Sequence, residues 1–213
     1  MENIIVFGAG EFGTLVTNVL SYIDQYQIVA FGDDDRQKAG QTLAGLPVFS
    51  TVDIFEFAET KKITTAIMAI GNNRARAEKY ELFKNRGFKL ISIIHPQALI
   101  DTAVTFGDNV IIEMGTAIHT HSTIGNNVFL GGDALIGHHN TIGDNVLVGG
   151  NASFGGSVIV DDYATIGVGS AIKPGVHIGA NAVVGVGAAV VQDVPENAVV
   201  VGVPAKQISE NKT

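Results

Sequence analysis

Two histidines stand side by side at His138 and His139 in a chain that has six in all. Imidazole takes and returns a proton near neutral pH without a special environment. Such a pair suits acyl transfer, in which a base removes the proton of an amine or hydroxyl as it attacks a carbonyl. The reaction also needs donors where the oxyanion develops, and backbone amides often supply them. A second constellation lies near the N-terminus, where Gly8, Gly10 and Gly13 spell G-x-G-x-x-G directly after the apolar run Ile4-Ile5-Val6-Phe7. That pattern brings backbone amides and a helix N-terminus to a diphosphate. Asp33 follows at the distance where an acid bonds a ribose hydroxyl. With no cysteine, the chain has neither thiolate chemistry nor disulfides.

The histidines sit in a segment with its own period. Stepping by six from Phe106 meets Ile112, Ile118, Ile124, Leu130, Ile136, Ile142, Val148, Phe154, Val160, Ile166, Ile172, Ile178, Val184 and Val190, all apolar. Two places earlier in each hexad stands a smaller residue, from Val104 and Val110 through Ala134 and Asn140 to Ala188. Neither a helix at 3.6 nor a flat strand at 2 has this period, whereas hexapeptide β-helices do. With those two positions inward and their neighbours outward, two residues per hexad remain to turn the corner. They are pairs such as Asp108-Asn109, Asn126-Asn127, Asp144-Asn145 and Pro174-Gly175, types that tolerate turns and positive φ. Three hexads make a coil of 18 residues, and fifteen hexads make five coils.

Folded in this way, the segment becomes a map. Gly131, Gly149, Gly167 and Gly185 fall on one line, with Gly132, Gly150, Gly169 and Gly187 beside it. The expectation is one edge almost free of side chains, a groove where a long ligand reaches backbone. His138 and His139 occupy a corner of the next edge. His121 and His139 are 18 apart, hence stacked on successive coils about 5 Å apart. Stacked histidines are also a route to zinc, as in the γ-type carbonic anhydrases, but the corners that follow on this edge, Gly156-Ser157 and Pro174-Gly175, bring no third ligand to complete a tetrahedral set. No metal is expected, and a zinc lyase is the reading from another class. His119 and His177 face solvent, and His95, before Pro96, is structural.

Residues 1–94 differ in character. Strands at 3–7, 26–31 and 64–70 and helices at about 11–20 and 74–85 alternate, and Lys89 to Ile94 closes the unit. This is a small Rossmann-like α/β domain, too short for the second nucleotide-binding half of a dehydrogenase. A single nucleotide diphosphate, such as a UDP-sugar, fits its length.

A short α/β domain before hexapeptide coils resembles the bacterial nucleotide-amino-sugar N-acetyltransferases of the PglD type. The resemblance spans nearly the whole chain. It rests on Phe7-Gly8-Ala9-Gly10, Asp33-Asp34, Ala69-Ile70-Gly71-Asn72-Asn73, Gly137-His138 and Val201-Gly202-Val203-Pro204-Ala205-Lys206. It implies a left-handed β-helix over 95–213, a homotrimer with active sites between subunits, and acetyl-CoA along the coils. A UDP- or dTDP-linked amino sugar is then held by domain 1–94. Gly10, Glu11 and Phe12 are implied at the diphosphate, Asp33 and Asp34 at the uridine, and Gly71 nearby. His138 matches the general base, and Gly156, Val168 and Val186 match positions where the cofactor meets backbone. Family members follow the base with an acidic residue; His139 stands there instead, able to orient His138 while supplying no negative charge. Leu147 replaces a histidine that the family can place near substrate.

The expected activity is N-acetylation in surface-glycan biosynthesis, with O-acetylation of a sugar such as a sialic acid as the alternative. A net charge of −8 with no basic stripe argues against nucleic acid. No run of about 18 apolar residues exists to span a bilayer. The first residues pass straight into a strand without a signal-type segment, so the expected location is the cytoplasm.

Overall fold

The computed structural model describes residues 1–211. The chain forms two compact units, Met1–Ile93 and a second from Ile94 onward.

In the first unit the order is β1 (Glu2–Phe7), α1 (Glu11–Leu20), β2 (Tyr26–Gly32), β3 (Thr42–Leu43), β4 (Leu46–Phe49), α2 (Thr51–Lys61), β5 (Thr65–Met68), α3 (Asn73–Asn85) and β6 (Lys89–Leu90). The sheet runs β3-β4-β2-β1-β5-β6. All pairs are parallel except the β3–β4 hairpin. Because β1 is central, Ile4, Ile5 and Val6 are wholly buried, which is why it reads as an unbroken apolar run. Ser50 caps α2 by accepting the Asp53 N–H, and the Asn72 Oδ1 caps α3 by accepting the Ala75 N–H at 3.0 Å. Phe83 anchors the core, with its ring 5.2 Å from Phe7, 4.8 Å from Phe55 and 5.0 Å from Phe88. The hairpin and α2 lie in a stretch where no sequence period points to either.

The second unit is a parallel β-helix of two-residue rungs in three sheets. The first sheet stacks Ile93–Ile94, Ile111–Ile112, Phe129–Leu130, Leu147–Val148, Thr165–Ile166, Val183–Val184 and Ala198–Val201. The second stacks Leu99–Ile100, Ala117–Ile118, Leu135–Ile136, Ser153–Phe154, Ala171–Ile172 and Ala189–Val190. The third stacks Thr105–Phe106, Thr123–Ile124, Thr141–Ile142, Ile159–Val160 and His177–Ile178. Partners are 18 residues apart in these stacks as far as Val183–Val184, as in Leu135↔Ser153 and Thr123↔Thr141. The large and small inward positions form one core, with Ile118, Ile136, Ala152 and Ile166 at or near zero exposure. Rungs begin before Phe106: Ile94 and Ile100 extend the register backward, so two further rungs, two-thirds of a coil, precede the fifteen hexads. Ile93–Ile94 accordingly belongs to the coils and does not close the α/β sheet. At the other end Val200 pairs with Val184, short of a full coil, and Lys206–Glu210 adds antiparallel.

Every sixth residue from Ala103 to Gly187 has positive φ. Only Gly115, Gly169, Gly175 and Gly187 in this series are glycine; the rest include Asn109, Asn127, Asn145, His121, His139 and Tyr163. The corner imposes the left-handed conformation on whichever residue stands there, although most side chains disfavour it.

Candidate active site

The corner after Leu135–Ile136 is clamped from within the core. The Gly137 carbonyl accepts from Ser122 Oγ at 2.9 Å and from Asn140 Nδ2 at 3.0 Å. Asn140 Oδ1 accepts the Val158 N–H at 2.6 Å. A polar residue thus fills an inward small position because it satisfies buried backbone on two coils. On this platform stand the imidazoles of His138 and His139, both exposed. Their Nδ1 atoms are 3.1 Å apart and their rings nearly perpendicular, at 84°. His139 lies flat on His121, with centroids 5.0 Å apart and planes within 6°. His121 Nδ1 is 2.8 Å from Thr120 Oγ1, which donates to the Thr102 carbonyl at 2.8 Å. On the following coil, a Cβ at Gly156 would stand 2.3 Å from His138 Cε1 and 2.5 Å from Nε2. The ring occupies the space that the missing side chain leaves.

The cofactor positions implied by resemblance do not gather at one corner. Gly156 faces His138 between the second and third sheets. Val168 and Val186 stack between the first and second, and are 52% and 78% exposed. The expectation of a bare glycine edge is corrected here. Positive φ recurs at 133, 151, 169 and 187, so Gly169 and Gly187 belong to that column. The column holding Gly132 and Gly150 continues as Val168 and Val186, and half the edge carries side chains.

Of the remaining histidines, His177 pairs with Asp161 at 2.8 Å, so it is partnered and not merely solvated. His95 is buried and accepts the Gln97 N–H at 3.1 Å. Among the described residues no group of three or more His, Asp, Glu or Cys is placed to hold a metal ion.

In the α/β unit, Gly10, Glu11, Phe12, Asp33, Asp34 and Gly71 line one cleft of about 300 Å³, with Phe7, Gly8, Lys38 and Ala69. It opens at the carboxyl ends of β1 and β5, where the strand order reverses, the usual ligand crevice of such sheets. Gly8 is required by shape: its φ is +120°, and a Cβ would stand 2.1 Å from the Ala69 carbonyl oxygen. Asp33 works inward. Its Oδ2 accepts the Ala9 N–H at 2.8 Å and Lys38 Nζ at 2.9 Å, and its Oδ1 accepts the Asp35 N–H at 2.9 Å. Burial raises the carboxyl's pKa, but these bonds from Asp35, Lys38 and Ala9 outweigh it and hold the group below its ordinary value.

Asp34 accepts from Thr51 and pairs with Lys79 at 2.9 Å. Burial pulls the Lys79 ammonium down, but Asp34 and Glu78 prevail and leave it raised. Arg76, fully buried, donates to the Ile70 carbonyl at 2.9 Å and braces the loop carrying Gly71; burial brings its guanidinium down to about 10. Sequence reasoning missed Lys38, the cation beside Gly10. Its only signal is the run Asp33-Asp34-Asp35, whose carboxylates fold the chain back through bonds to Asp35 and Gln37.

The sequence profile of the PglD N-terminal domain matches residues 3–83, and that of the hexapeptide repeat of succinyl-transferase matches 139–165 and 157–192. PerB from Caulobacter crescentus, solved with CoA and GDP-perosamine, superposes with a TM-score of 0.91 at 29% identity over 98% of both chains. The acetyltransferase domain of PglB from Neisseria gonorrhoeae superposes at 0.89 with 27% identity, over 98% of this chain and 100% of that one. It has also been solved with acetyl coenzyme A. WeeI from Acinetobacter baumannii gives 0.87 at 28% identity, over 98% of this chain and 100% of that one. Variants of the Caulobacter perosamine N-acetyltransferase with a histidine replaced by asparagine or alanine have been solved with CoA and GDP-perosamine. With a profile matched in each unit and such neighbours along its whole length, this chain is a sugar N-acetyltransferase of the hexapeptide-repeat acyltransferase superfamily, a Rossmann-like domain followed by a left-handed β-helix.

Proposed function

We propose that the chain transfers acetyl from acetyl-CoA to the amine of a nucleotide-linked amino sugar, a step of surface-glycan biosynthesis, with His138 as the base. The observation that carries this is the His138 ring, pinned at Nδ1 by His139 and seated against Gly156. A base working through Nε2 must leave that atom unprotonated, so Nδ1 carries the hydrogen and donates to His139 Nδ1. The amine attacks the thioester carbonyl; a C–N bond forms, the C–S bond breaks, and the proton taken by Nε2 passes to the departing thiolate of CoA. Backbone amides steady the oxyanion.

The α/β cleft holds the nucleotide, with Gly10, Glu11 and Phe12 at the diphosphate. Asp33 acts through Lys38 and the glycine loop, since its oxygens are already bonded there. GDP joins UDP and dTDP as a candidate carrier, because PerB is solved with a GDP-linked sugar. Val168 and Val186 lie on a different edge from His138 and Gly156, which supports a homotrimer in which one copy's edge faces another's; sedimentation tests it. Among the described residues no helix is long and apolar enough to cross a membrane. The use of acetyl-CoA as donor supports a cytoplasmic location.

The deciding experiment is thiol release from acetyl-CoA with GDP-, UDP- and dTDP-linked amino sugars. Release with one of them and N-acetylated product by mass spectrometry is expected. Silence across the panel defeats the proposal.

A further inference from the structure

The position that family members give to an acid is held here by His139, a neutral ring whose usefulness depends on its orientation. An acid presents oxygen lone pairs over a wide arc, whereas neutral imidazole offers a single lone pair in the ring plane. Rotating an exposed His139 replaces that lone pair with a C–H edge and leaves His138 Nδ1 without its acceptor. Something must fix the plane.

His121 is built to do so. The Thr120 hydroxyl has one hydrogen, and it is committed to the Thr102 carbonyl at 2.8 Å. Its contact with His121 Nδ1, also 2.8 Å, therefore has the imidazole N–H donating and the hydroxyl oxygen accepting. The His121 ring is thus set in plane and in tautomer by the preceding coil. His139 lies on it within 6° of parallel at 5.0 Å, inside the range of attractive aromatic pairs. With the plane held, the 3.1 Å contact selects the flip that presents His139 Nδ1 to His138 Nδ1.

We infer that His121 is a positioning residue for acyl transfer: stacked on His139, it holds the acceptor that keeps Nε2 of His138 free to take the proton. This rests on His138 being the base.

Two substitutions separate stacking from backbone effects. Position 121 has φ 60°; Asn occupies the same kind of corner at 109, 127, 145, 151 and 181, and Tyr does so at 163 with φ 63°. His121→Asn removes the ring and keeps the corner, while His121→Tyr keeps a stacking ring. His121→Asn is expected to lower kcat about tenfold with both KM values within about twofold, because misorientation costs turnover and spares binding. Nitrogen NMR is expected to show His138 changing from one tautomer to a mixture in that variant. His121→Tyr should keep kcat within about threefold of the parent. Wild-type kcat in His121→Asn, or equal losses in the two variants, overturns the inference. His138→Ala in the same assay keeps the failures apart. Retained turnover there refutes the base itself, whereas lost turnover there with a silent His121→Asn refutes only the positioning role.

Discussion

The ring of His138 lies where a side chain on Gly156 would be, 2.3 Å from Cε1 to the position of the missing Cβ. No rotation of a methyl relieves so short an approach, so Gly156→Ala must move the imidazole. Because His138 is exposed, the ring swings into solvent at little expense in stability. The expected result is a melting temperature near that of the parent and a kcat about 100-fold lower, the usual scale for a reacting group displaced by about an ångström. Thiol release and calorimetry on the same preparation check both halves.

His138→Ala removes the proposed base outright. Turnover should fall about 100-fold to 10,000-fold, the range that general base catalysis contributes. CoA affinity by titration calorimetry should stay within about threefold, since cofactor contacts are assigned to backbone. Unchanged turnover would sink the assignment.

Asp33→Asn tests the clamp on the glycine loop. The folded state holds this carboxyl below its ordinary pKa of 3.8, so ionised Asp33 favours folding. That contribution is complete above the ordinary value and fades as pH falls through the lower folded one. The variant should therefore melt lower than the parent at neutral pH, and the gap should close in acid. KM for the nucleotide sugar should rise in parallel, because Lys38 loses its 2.9 Å partner. Melting curves from pH 7 to 2 show whether the gap closes.

Ser170 is buried and its Oγ has no hydrogen-bond partner. It shares a column with Ala134, Ala152 and Ala188, and with Thr116, whose hydroxyl donates to the Gly131 carbonyl at 3.0 Å. Ser170→Ala removes an unsatisfied group from a site shaped for alanine and should stabilise the fold by about 1 kcal/mol. Urea unfolding measures it.

The β-helix was legible because its signal repeats: one apolar residue every six, from Phe106 to Val190, is enough to infer coils and the stack of His121 on His139. The earlier rungs at Ile94 and Ile100 follow the same step, yet His95-Pro96 between them reads as a junction. Hairpin β3–β4 and α2 escaped because short elements held by tertiary packing have no period of their own. At the site, the residue types were readable and the contacts were not. The spacing to Asp33 suggests a ribose ligand, but which way its carboxylate turns depends on Ala9, Asp35 and Lys38. The glycine at 156 is visible in the sequence. That it makes room for a ring 18 residues back depends on a side-chain rotamer, about which residue spacing is silent.

The positive-φ residue that recurs every six positions has an evolutionary consequence. Because the corner, and not the residue, dictates the backbone there, each such place works as a socket. Asn, His, Ser, Tyr or Gly can be exchanged in it while the rungs on either side keep their pairing. New side chains can then be tried on the rim of the prism one at a time, each arriving at a known height and edge. His121 and His139 occupy two of these sockets, one coil apart. The histidine pile can therefore have been assembled, and can be rebuilt, without renegotiating the core.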